Sequence, residues 1–478
     1  MVKKIIAVIA CIGLLVSLTV IAYAQSVGQT STSILVQNLS TSPANLRVDF
    51  YDTGGNNTGY KEKSNLCGEC SITFDQRRDS GYPGTDTFQG AAIVSADQPV
   101  GAVVQVVRTG GSAGVNSYEA YNGLGAPSKS VKAPLILRGI VSAGKTWNTT
   151  MAIQNTNVSA SAQVTVTFTP DPNVGLGNAD TKTYTIPPGG TWYLDQSTQT
   201  TLGTRFFGSA SVVSNQDVAV AVTSGTNDGS SLIVYPTFTA GSTTVYLPGA
   251  MKNILSQGHN YFTSLTIVNL GSAADPAPVV TIEYQPQSGT VSGPYTVTVQ
   301  TATTIDMRSD PHITSATFFG AVKLINTTNS TPFAAMLNTR GDNASTGAAV
   351  FATTYGGMTA GATTVYVPYL LKYISSAGYN WSTSILIQNL DPASGNLDVT
   401  ITYKEDPSIG THTYTSSQTG ITTSRTIDLR LDPNITQSTF YGAAKIVSTN
   451  GRPFGVVVLV RGSGGAGDAL SSYLGISP

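Results

Sequence analysis

"WSTSILIQNL", Trp381–Leu390, alternates polar and apolar residues and closes on an Asn. A period of two is the pattern of a β-strand with one face buried. The run recurs as "WNTTMAIQNT" from Trp147, "YFTSLTIVNL" from Tyr261 and "TSTSILVQNL" from Thr30. Its Asn falls at Asn38, Asn155, Asn269 and Asn389, at intervals of 117, 114 and 120 residues. Similarity at a long fixed period marks an array of one folding unit.

Two further landmarks keep step. An aromatic followed by Gly stands at Phe88 to Gly90, Phe206 to Gly208, Phe318 to Gly320 and Phe440 to Gly442. Pro134 with Arg138, Pro248 with Lys252 and Pro368 with Lys372 place a basic residue four after a Pro, and Trp147, Tyr261 and Trp381 follow at one fixed distance. Such spacing predicts a structural corner. "VTVTF" from Val164, "VTIEY" from Val280 and "VTITY" from Val399 alternate like the quoted strand, whereas "GVVVLV" from Gly455 is apolar throughout, as a strand covered on both faces requires. With about seven short strands in roughly 115 residues and no amphipathic helix beyond a turn or two, each unit reads as a two-sheet antiparallel sandwich. The expected fold is all-β: four tandem immunoglobulin-like β-sandwich domains at 25–130, 131–244, 245–364 and 365–478, after an N-terminal signal helix at 1–24. Short Thr- and Gly-rich joints predict a semi-rigid rod, well over roughly 100 Å long from the rise per strand residue. The Val-Tyr-x-Pro lead segment has no copy before the first unit. As an edge strand it would leave that unit an unfilled edge for a neighbouring molecule; the other reading makes it a linker.

The 478 residues carry a net charge of −1, which gives nucleic acid nothing to bind; 11% are charged and 40% hydrophobic, which argues for a folded chain with a neutral polar surface. Lys3 and Lys4, an apolar run from Ile5 to Ala22 and the small-x-small pattern Ala22-Tyr23-Ala24 read as a secretory signal. If uncleaved, the run would be a membrane anchor; "VIAC" at Cys11 reads as a lipidation box that the apolar run overshoots. The chain is therefore expected outside the cytoplasm, touching membrane only through that segment.

Chemistry is sparse. Cys67 and Cys70, in "CGEC", align with the "PPGG" turn at Pro187 to Gly190, so a disulfide stapling a hairpin tip is expected ahead of a metal or redox site. "GGSAG" around Ser112 and "GSGGAG" at Gly462 to Gly467 lack the helix and partner residues their catalytic and nucleotide motifs need. His259, His312 and His412 sit at non-equivalent positions. Asp75 with Asp79, Asp306 with Asp310 and Asp428 with Asp432 flank Arg77, Arg308 and Arg430; Asp306, Asp310, Asp428 and Asp432 are weak calcium candidates, better explained by the Arg between them. Trp147, Tyr261 and Trp381 are candidates for packing at the joints or for stacking on sugars. No catalytic or cofactor-binding set emerges, and no cofactor is expected.

The W-x-T-S-apolar-x-apolar-Q-N strand together with "FFGSASVVSNQDVAVAV" from Phe206 resembles uncharacterised bacterial secreted and cell-surface proteins built of tandem immunoglobulin-like β-sandwich repeats. The resemblance covers nearly all the chain after the signal and is architectural. It implies a non-enzymatic structural or adhesive protein, self-associating into a filament or layer or binding other cell-envelope components. Glycan binding through domain-end loops or joint aromatics is the alternative.

Overall fold

The computed structural model describes residues 16–18, 29–76, 88–110, 115–142, 144–172, 174–235, 237–272, 274–346, 349–465 and 467–478. The described residues are almost wholly β, with three-residue 3-10 turns as their only helical elements. Of the expected signal helix at 1–24, only residues 16–18 are described, and they are a strand paired with Gly90–Ala96, not helix; the rest lies outside the described residues. No helix among them is long and apolar enough to cross a membrane.

The repeat of sequence becomes a repeat of topology. One layer of each unit runs from a lead strand to the aromatic-Gly strand, a third strand and an outer edge; in the third unit these are Thr244–Lys252, Phe318–Asn326, Val279–Ser288 and Tyr295–Thr298. The other layer runs from a last strand through a penultimate strand to the Asn-ending strand and a short edge: Ala349–Gly356, Phe333–Asn343, His259–Asn269 and Ala302–Asp306. The second and fourth units repeat this order, with lead strands opening at Ser128 and Thr364, so the lead segment is a strand and more than a linker. In the second unit the aromatic-Gly and penultimate strands are one continuous run, Phe206–Thr226. Strict alternation, as in Leu397–Glu405, buries Val399, Ile401 and Tyr403 against the facing layer.

The units do not string into the expected rod. The last strands, Asn116–Asn122, Leu232–Tyr235, Ala349–Gly356 and Leu470–Leu474, pack on one another, first to second, second to third, third to fourth and fourth back to first, so the array closes on itself. Closure has an apolar cause. Leu232 and Val234 of the second unit complete the core of the first, and Leu386 and Val457 of the fourth complete that of the third. Leu35, Val103, Tyr118 and Ala120 of the first unit join the core of the fourth. A rod would leave those faces in water, at about 25 cal/mol for each Å² of apolar surface.

Candidate functional site

The recurring residues are first of all joinery. Asn389 donates from Nδ2 to the carbonyls of Gly395 (2.9 Å), Ile421 (3.3 Å) and Thr422 (3.0 Å), while its Oδ1 accepts the Asp391 N–H. Asn38 and Asn155 make the same set with Ser42, Leu66 and Cys67 and with Ala160, Ile186 and Pro187. The strand must therefore end in a carboxamide, which donates and accepts at once. Two residues after each joint aromatic, Thr149, Thr263 and Thr383 accept backbone N–H groups of Leu137, Met251 and Leu371 on the crossing lead strand. The basic residue after each Pro caps the loop beneath it: Lys252 Nζ donates to Ile313 O (2.7 Å), Lys372 Nζ to Ile435 O (2.6 Å) and Arg138 Nε to Gln196 O (2.9 Å). The corner expected from spacing is this crossing.

The junction of first and last units holds a denser set of contacts. Cys67 and Cys70 form a disulfide, so the "CGEC" loop is a stapled tip. That tip holds Glu69 in the left-handed region (φ 63) with its carboxylate between Lys445 Nζ (2.7 Å) and Lys404 Nζ (3.0 Å) of the fourth unit. Burial opposes the charge on Glu69, but the two ammonium groups outweigh it and hold the carboxyl below its ordinary range. Gln37 Nε2 bridges Glu69 O and Ala444 O across the same seam. The fourth unit answers with a strand: Gly467–Asp468 pairs in parallel with Asn116 and Ser117, and Asn122 brackets Leu474 with two hydrogen bonds (2.7 and 2.8 Å).

All four units meet at two buried carboxyls. Glu119 Oε1 accepts the N–H of Ala120 (2.9 Å), the hydroxyl of Thr353 in the third unit (2.8 Å) and the N–H of Ser472 in the fourth (3.3 Å). Asp468 accepts the Ala352 N–H on both oxygens (3.1 and 3.2 Å) and the N–H groups of Leu470 and, in the second unit, Leu232. Burial pushes both carboxyls well above the usual carboxylate range. Donated hydrogen bonds pull the other way, the charge of Asp468 raises Glu119 further, and Lys145 acts to lower Asp468. Beside them a cavity of about 220 Å³ is lined by Tyr121, Tyr235, Tyr355 and Tyr473, one from each last strand. These tyrosines are equivalent: each pairs with Val104, Val222, Leu337 or Val458, four residues into the penultimate strand after the partner of the recurring Asn. Sequence reasoning overlooked them. Their intervals of 114, 120 and 118 were the available signal.

The residues singled out from sequence do not converge. Asp306 and Asp428 hold Arg308 (2.6 Å) and Arg430 (2.5 Å). Asp310 accepts the hydroxyls of Tyr284 (2.5 Å) and Tyr295 (2.6 Å), and Asp432 that of Tyr403 (2.9 Å), so donors surround all four calcium candidates. Among the described residues no His, Cys, Asp and Glu side chains cluster to hold a metal. Trp381 and Tyr261 are buried between units, Trp381 against Tyr118 (ring centroids 4.6 Å apart) and Tyr261 beside Phe351 and the Arg461 guanidinium; Trp147 is half-buried. His259, His312 and His412 bind Gln257 O, Asp310 and Glu405 in separate places. Arg77, Asp79 and Ser112 lie outside the described residues. No protein-family model matches the chain, and no curated protein matches it.

Proposed function

We propose that the chain is a secreted, non-enzymatic structural or adhesive protein of the bacterial cell surface, four immunoglobulin-like domains closed into one body that associates with further copies. One observation carries this reading. Where the lead strand turns into the Asn-ending strand, units two to four project an exposed apolar side chain: Val141 (60% exposed), Leu255 (71%) and Tyr373 (47%). Exposed apolar groups repeated at an equivalent tip are contact points, and a surface poor in charge opposes association weakly. Gly139, Asn253 and Tyr373 hold the corner of that tip in the left-handed region, with φ of 59, 51 and 50. Gly and Asn tolerate this conformation, whereas a Tyr kept there against its preference suits a functional position. The test is negative-stain imaging of purified protein beside the Val141→Ser, Leu255→Ser, Tyr373→Ser triple variant. Ordered polymers for the parent and dispersed particles for the variant are expected; dispersed parent particles at every concentration would end the proposal.

Glycan binding keeps one supporting observation: the half-exposed Tyr184 ring stacks on Trp192 with centroids 5.1 Å apart, a flat aromatic face on the second unit. Binding to a glycan array that is lost with Tyr184→Ala would favour it.

A further inference from the structure

We propose that the side of the aromatic-Gly strand Gly90–Ala96 turned away from Ala44–Asp52 is a strand-acceptor groove, and that its occupant is the chain's own segment around Val16–Leu18. Val16–Leu18, within the segment that reads as an export leader, then stands where the other units have their lead strand.

Val16–Leu18 is a strand that pairs antiparallel with Gly90–Ala96: Val16 with Val94, Ser17 with Ile93 and Leu18 with Ala92. Counted from the landmark glycine, these are the pairings of the lead strands elsewhere. Val245, Tyr246 and Leu247 face Leu324, Lys323 and Val322; Val365, Tyr366 and Val367 face Ile446, Lys445 and Ala444; Val131, Lys132 and Ala133 face Val212, Ser211 and Ala210. Each occupant places an apolar residue on either side of a Ser, Tyr or Lys. Chain length agrees: Leu18 lies 12 residues before Thr30, and Ala133, Leu247 and Val367 each lie 14 before Trp147, Tyr261 and Trp381.

Independent marks of the slot lie on its neighbours. Gln37 and Gln388 each donate to a carbonyl on the aromatic-Gly strand of the preceding unit, Ala444 O (3.3 Å) and Val322 O (3.4 Å). Their second-unit counterpart, Gln154, is fully buried and neither amide atom has a partner. Thr32, counterpart of the three threonines that receive a lead-strand N–H, donates to Gln76 Oε1 (2.6 Å) instead. Among the described residues the first unit thus carries fittings that match those of a lead strand. An unpaired strand edge is a template for an extended peptide, with specificity set by alternate side chains. A segment paired in this sheet cannot at the same time be a membrane-spanning helix, which separates this assignment from the anchor reading.

Hydrogen exchange tests the groove at those amides of Gly90–Ala96 that point away from Ala44–Asp52, its partner on the other side, on the full chain, on the chain lacking residues 1–24, and on the full chain with Ser17→Pro, which removes a backbone N–H from the occupant. Protection is expected in the full chain and lost in the other two. The peptide Thr244–Lys252, the lead strand of the third unit, should restore it to the shortened chain and bind stoichiometrically, and should leave the full chain unchanged. Equal protection in all three chains, or a shortened chain that ignores the peptide, overturns the proposal. Should the shortened chain fail to fold, Ser17→Pro alone decides. Imaging judges surface assembly and exchange judges the groove, so either can fail without the other.

Discussion

Asn389 and Asn269 occupy the same place in their units but carry different loads. Asn389 satisfies three carbonyls, whereas Asn269 donates to Gln300 O alone, near solvent. Removing a donor from buried carbonyls costs about 1–3 kcal/mol, so Asn389→Ala should lower stability by that amount and Asn269→Ala by less, as read from urea midpoints. Gln154 is the reverse case, a buried amide without partners, at a place where the third unit has Val268. Gln154→Val should raise stability by about 1 kcal/mol, the desolvation penalty it relieves. A lower midpoint for this variant would mean that the amide is satisfied in solution. Tyr373→Asn should likewise gain about 1 kcal/mol by relieving the left-handed backbone, while reducing association if the tip is a contact.

At the scale of elements, the stapled tip and the lead strands do the fastening. A disulfide across a separation of three residues restricts the unfolded chain little, about 2 kcal/mol in the loop-entropy model. Cys67→Ser with Cys70→Ser should therefore cost roughly that much if the staple acts on the unfolded state alone, and more if it also positions Glu69 between Lys404 and Lys445. A double-mutant cycle of Glu69→Gln against Lys445→Met, in oxidised and reduced protein, separates the two. Coupling that disappears on reduction shows that the tip must be rigid to hold the seam. The lead strand was legible as a spaced motif and was weighed as linker or edge. Its choice of the aromatic-Gly strand as partner was not legible, because pairing joins residues some 75 positions apart, such as Leu247 and Val322.

For the whole molecule, closure makes the units interdependent. Cores completed by neighbours should unfold together, and calorimetry should give fewer transitions than units. The buried carboxyls set a pH signature. Glu119 and Asp468 are raised in the folded state, so the stability they contribute is full below the ordinary carboxylate value of about 4 and is lost as pH climbs toward their raised values. Glu69 is lowered, so its contribution is present above the ordinary range and is lost as pH falls through its depressed value. Glu119→Gln with Asp468→Asn should flatten the decline of stability above pH about 4, and Glu69→Gln should flatten the acid limb. Unchanged pH profiles would show that these groups titrate normally.

By itself the sequence determined the all-β character, the repeat and its landmarks, and the stapled tip, because period-two alternation, turn residues and fixed spacing are local and each unit states them again. The tertiary structure alone decided that the last strands bury against one another, that Tyr261 and Trp381 face neighbouring units, and that Glu119 and Asp468 share one interior. The sequence of a last strand reads the same whether it is covered within one unit or by the next. Which surface covers them depends on how whole units pack, and no short stretch of chain records that.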